Sequence, residues 1–151
     1  MAADELWAQF DALGEEAFLA QMDALAAQLP PAVAAYERAS AFDSTGHEEQ
    51  ALPLYREALA LGLDEDLRRQ CVIQLASTLR NLGRPQESVS MLRAERGKSD
   101  EFDDGVAAFL ALALHDAGRQ SEALSVALGA LAGHMDRYRR SLTAYADELA
   151  Q

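Results

Sequence analysis

From Trp7 onward, apolar side chains return every three or four residues, and Gly or Pro interrupts them at short intervals. This spacing predicts amphipathic helices joined by tight turns. The first stretch runs through Trp7, Phe10, Leu13, Phe18, Met22, Leu25 and Leu29 and must end at Pro30-Pro31, with Gly14 a point where it can break in two. Helices are then predicted over 32–45, 48–61, 66–82, 85–96, 100–117 and 120–132, each stopped by a glycine: Gly46, Gly62, Gly83, Gly97, Gly118 and Gly133. Pro85 suits a first turn. A last helix over 134–150 is predicted to carry Met135, Tyr138, Leu142, Tyr145 and Leu149 on one stripe. No segment alternates with period two, so strands are not expected.

Helices joined by only about two to five residues must lie antiparallel to their neighbours, which makes the chain a series of hairpins. The hairpins repeat. Gly46, Gly83 and Gly118 stand 37 and 35 residues apart; seven residues before them come Ala39, Ala76 and Ala111, and four before them Phe42, Leu79 and Leu114. Five residues after them come Ala51, Ser88 and Ala123. Small residues let two helix backbones approach, and the large one fills the gap between adjacent hairpins.

In these residues the chain resembles the tetratricopeptide repeat family, whose period is about 34 residues. The match is clearest in 32–63, where Ala39, Phe42, Gly46, Ala51, Tyr55 and Ala58 occupy the motif positions. A second repeat, about 69–97, has Glu95 where alanine is usual, and a third, about 104–132, has Ala127 where an aromatic is usual. The phrases ERASAFDSTG, ALPLYREALALGL and QLASTLRNLGR resemble the bacterial subfamily often called the group five tetratrico peptide repeat domain. The resemblance implies one all-α domain, a right-handed superhelix of three hairpins over 32–132. Segment 1–31 would serve as an N-terminal cap or degenerate hairpin and 134–151 as a capping helix. It implies protein binding in a concave groove and no chemistry.

Charge narrows the partners. With 25 acidic and 13 basic residues the net charge is −12, which repels nucleic acid and anionic membrane and favours a neutral-to-basic protein segment. The single cysteine, Cys71, allows no internal disulfide and suits a reducing, cytoplasmic setting. Neither a secretory leader nor a membrane span is expected from MAADELWAQF or from any later run.

Candidate chemistry is thin. His47-Glu48-Glu49-Gln50 begins like a zinc helix, but the second histidine would have to stand at Ala51. His115-Asp116 and His134-Met135-Asp136 have no third ligand at helical spacing. The run Asp100, Glu101, Asp103, Asp104 offers hard oxygen ligands without an EF-hand pattern, and it stands where a helix starts and acids cap free N–H groups. Cys71 reads as a small core residue. No nucleophile, base and orienting group assemble, so no enzyme, metal or cofactor is expected.

Helical spacing selects the groove face: Val33, Tyr36, Ser40 and Asp43 from the first inner helix; Gln70, Ile73, Ser77, Arg80 and Asn81 from the second; Ala108, Leu112, His115 and Asp116 from the third. Some relatives grip a C-terminal carboxylate with Lys, Asn and Arg, but the matching positions here are Tyr36, Ser40, Gln74, Gly105 and Phe109. An alternative to groove binding is self-association as a homodimer, through Trp7 and Phe10 or through the last helix.

Overall fold

A computed structural model describes residues 2–151 and holds nine α-helices, one 3-10 turn and, among those residues, no strand. They are α1 (Ala3–Trp7), α2 (Glu15–Ala26), α3 (Pro31–Ser44), α4 (Glu48–Leu61), α5 (Glu65–Asn81), α6 (Pro85–Glu95), α7 (Asp103–Asp116), α8 (Gln120–Gly133) and α9 (Arg139–Leu149), with the 3-10 turn at Phe10–Ala12. The chain divides into two compact units, one ending at Thr78 and one running from Leu79 to Gln151.

Three turns share one geometry. At Gly46, Gly83 and Gly118 the glycine has φ of +80°, +74° and +78°, a left-handed conformation that costs an L side chain energy and glycine very little. The residue after each glycine donates its N–H to the carbonyl five residues back: His47 to Phe42 at 2.9 Å, Arg84 to Leu79 at 2.9 Å and Arg119 to Leu114 at 2.8 Å. The glycine N–H bonds three residues back, which completes a Schellman ending. His47, Arg84 and Arg119 then start the next helix with nearly equal angles, φ −110°, −115° and −105° and ψ 54°, 51° and 58°. In the second and third turns the starting Arg reaches forward one turn, Arg84 to Glu87 and Arg119 to Glu122, both at 2.6 Å. In the first turn His47 meets Glu15 at 2.6 Å and stacks edge-on against Phe42.

In the unit ending at Thr78, α2 packs on α3 and α3 on α4. Its N-terminal core gathers Leu6, Phe18, Met22, Leu25 and Ala41, with Trp7, Phe10 and Leu13 against them. Phe18 meets Trp7 at 5.1 Å and Phe10 edge-on at 4.9 Å between ring centroids, the aromatic geometries that add to plain burial. Trp7 and Phe10 thus fill core. The run expected to be helical from Trp7 differs in detail. Helix α1 ends at Trp7, and the tighter turn at Phe10–Ala12 lets Trp7 and Phe10 both reach Phe18.

In the unit from Leu79, α6 packs on α7, α7 on α8 and α8 on α9. Its core is Val106, Leu110, Ala113 and Leu114 of α7 with Val89 and Leu92 of α6. Glu95 pairs with Lys98 at 2.9 Å. The acidic run ahead of α7 ties down its own backbone: Asp103 accepts the N–H groups of Ser99 at 2.7 Å and Lys98 at 3.3 Å, and Asp100 that of Phe102 at 3.0 Å. Helix α7 starts at Asp103, three residues later than expected. Helix α9 starts at Arg139 rather than at 134, because Tyr138 turns left-handed, with φ +67°. That breaks the expected stripe, leaving Met135 and Tyr138 outside the helix and Ala146 as its buried residue.

Candidate functional site

The expected groove residues fall into two sets. Tyr36 and Ser40 of α3 are 6% and 7% exposed, so they offer a partner almost no surface. Expected to project outward, they instead join a buried polar seam between α3, α4 and α5. Its hub is Gln74. The Gln74 Oε1 accepts the hydroxyls of Tyr55 at 2.7 Å and Ser40 at 2.8 Å, and its Nε2 donates to the Tyr36 oxygen at 3.1 Å. Asp43, half-buried, stands 3.1 Å from the Thr78 hydroxyl and 3.3 Å from that of Tyr55. Tyr36 reaches Gln70 at a long 3.5 Å. Each buried polar atom here has a partner, the condition under which such a seam specifies a packing instead of costing one.

Burial sets the titration of the seam. It raises the Asp43 carboxyl above its ordinary value against the pull of the Thr78 and Tyr55 hydroxyls, and it raises the Tyr36 phenol. Tyr55, fully buried, is held as the neutral phenol, by burial first and by the Asp43 charge next. Cys71 lies beside it, its thiol 3.6 Å from the Tyr55 carbonyl and pushed up to about 12 by burial. On the neighbouring turn of α3, Glu37 accepts the Trp7 indole N–H at 2.8 Å, and burial raises its carboxyl.

The second set stays at the surface. On α5, Gln70, Ile73 and Ser77 are half-buried. In the unit from Leu79, Ala108, Leu112, His115 and Asp116 form one exposed stripe along α7, at spacings of four, three and one, and Leu112 is 46% exposed. Asp116 accepts from Arg80 at 2.9 Å, and Asn81 beside it is exposed. The Arg80 Nε is buried with no acceptor among the described residues. Tyr55 and Thr78 are not among the expected groove residues, and Gln74 enters the sequence reading only as a clamp position without a clamp residue; the hydrogen bonds from Tyr36 and Ser40 run to residues 34 and 38 places on.

Residues 32–149 match the family model described as tetratrico peptide repeat. The chain is a member of the tetratrico peptide repeat family. No curated protein and no solved structure matches it. The match takes in α9, beyond the 32–132 over which the motif positions were read, and leaves α1 and α2 outside. Tetratrico peptide repeats generally mediate protein–protein interaction and are typically non-catalytic. Among the described residues no helix of this repeat protein is long and apolar enough to cross a membrane.

Proposed function

We propose that this repeat protein is a non-catalytic, cytoplasmic scaffold that grips a protein segment along its inner helices. In the unit from Leu79 the gripping residues are Arg80, Asn81, Leu112, His115 and Asp116. The observation that carries the reading is the α7 stripe. Its core side is closed by Val106, Leu110, Ala113 and Leu114, while its other side presents a half-exposed Leu112 one turn from an Arg80–Asp116 pair. A large aliphatic anchor and an arginine on a rigid helix are the residue types that concentrate binding energy. In the unit ending at Thr78, the gripping residues are Gln70, Ile73 and Ser77 of α5, while Tyr36, Ser40 and Asp43 hold α3 to α5. The net charge of −12 favours a neutral-to-basic segment with an apolar anchor.

Peptides selected from a display library on the full chain test this. Leu112→Ala with Arg80→Ala is expected to weaken a selected peptide by about 2 kcal/mol or more at unchanged helical signal, and Arg56→Ala with Arg93→Ala, on the outer helices, to leave it nearly unchanged. The opposite ranking would place the binding surface elsewhere.

A further inference from the structure

Helix α8 carries an open apolar strip. Leu124 and Leu131 are 49% and 54% exposed, and Ala127 between them is exposed as well. Spacings of three and four put all three within about 60° of one another round the helix, and Glu122, which pairs with Arg93 of α6 at 2.6 Å, about 140–180° away. The strip is therefore on the side of α8 turned away from α6. The other hairpins show what such a side receives. Leu124 and Ala127 stand six and nine residues after Gly118; at the same distances from Gly46 and Gly83 come Leu52, half-buried, and Tyr55, fully buried, then Val89 and Leu92, both buried. Helix α5 covers the first of these sides, with Gln74 accepting the Tyr55 hydroxyl at 2.7 Å and the Cys71 thiol 3.6 Å from the Tyr55 carbonyl, and α7 packs on α6. Helix α9 packs on α8 but leaves the equivalent side open. Terminal hairpins of repeat arrays ordinarily turn a polar face to solvent, yet α8 has no charged residue from Ala123 to Gly133.

We infer that this strip is a two-fold contact between two copies of the chain, their α8 helices antiparallel, Leu124 of each against Leu131 of the other and Ala127 near the axis. Reversing the helix lays the strip on itself, because its two leucines flank one small residue that lets the backbones approach. Charge selects the occupant. A charged partner face would be desolvated against the leucines with nothing to pair it, whereas a second copy brings an uncharged strip of the same shape and sets no like charges in contact. Head-to-tail stacking lacks a matching surface: α2, in the segment that precedes the repeats, exposes Glu15, Glu16 and Asp23. Contact along one 14-residue helix is small, so the dimer is weak, in the micromolar range or above. Each copy carries a net charge of −12, so added salt strengthens the pairing by screening that repulsion. The contact uses none of the groove residues and stands or falls apart from the groove.

Sedimentation velocity of the full chain, from a few micromolar to about 0.5 mM, is expected to show a reversible monomer–dimer equilibrium that tightens as salt rises. Leu124→Glu and Leu131→Glu, at exposed positions, are each expected to raise the dissociation constant at least about tenfold at unchanged helical signal. Mild oxidation is expected to cross-link the Ala127→Cys chain to its copy and to leave the Ala144→Cys chain single, the buried Cys71 staying out of the reaction in both. A strict monomer at the highest concentration overturns the proposal. So does a dimer indifferent to both glutamates, association that continues past the dimer, or a cross-link through Ala144→Cys in preference to Ala127→Cys.

Discussion

The unit ending at Thr78 and the unit from Leu79 solve the same packing problem with different means. The first closes its helices over buried, mutually satisfied polar groups and an aromatic cluster around Phe18. The second closes over an aliphatic core of Val89, Leu92, Val106, Leu110 and Leu114, carries the ion pairs Arg80–Asp116, Arg84–Glu87 and Arg93–Glu122 outside it, and leaves Leu112, Leu124, Leu131, Tyr138 and Tyr145 about half exposed or more. Surface pairs are worth at most about 1 kcal/mol each, whereas removing one partner from a buried polar network leaves others unsatisfied in a medium that cannot replace them. Helix repeats thus need not be uniform in what secures them. The first unit secures its helices through a polar seam, and the second leaves more large apolar side chains exposed.

The sharpest break of this comparison is a charge placed in each unit. Ala76 is fully buried on α5, so Ala76→Asp is expected to cost on the order of 4 kcal/mol, read by chemical denaturation. Ala144→Asp on the open side of α9 is expected to be nearly silent. Equal losses would mean that α9 is as closed as α5. Next comes the hub: Gln74→Leu leaves the Tyr36, Ser40 and Tyr55 hydroxyls short of partners and is expected to cost roughly 2 to 3 kcal/mol, while Arg84→Ala, which breaks an exposed pair, costs under about 0.5 kcal/mol.

The smallest effect is in pH. Burial raises Asp43 and Glu37 above their ordinary values, so the folded chain holds these protons more tightly than the unfolded one. Stability is therefore lost as pH rises from the ordinary carboxylate value through the raised folded one, and stays lower above it. Asp43→Asn and Glu37→Gln keep an acceptor oxygen but no charge. Each is expected to hold or slightly raise the melting temperature at neutral pH, with the difference vanishing in acid. A marked drop at neutral pH would show the charged forms stabilising the seam.

Helix positions were legible because their ends carry chemistry of their own: glycines at left-handed turns, the Pro30-Pro31 stop and Pro85 in a first turn brought most bounds to within a residue or two. The start of α9 was not, because 134–138 contains no Gly or Pro and keeps apolar spacing through Met135 and Tyr138 even though the backbone turns there. Which of the expected groove residues reach the surface was only half legible. Helical spacing says which side of α3 carries Tyr36 and Ser40, but not that Gln74, 38 residues on from Tyr36, covers that side. The exposed stripe of α7 came through, since Ala108, Leu112, His115 and Asp116 depend on local spacing alone.

Cys71 has a practical use that follows from its place beneath Tyr55. A thiol that is fully buried and pushed up to about 12 carries negligible thiolate at neutral pH and cannot be reached by an alkylating reagent while the fold is closed. Labelling of the native chain therefore has to wait for an opening that exposes α5, and its rate counts those openings directly. The chain carries its own single-site stopwatch for unfolding, and a second cysteine placed on α9 could be modified selectively without first removing the first.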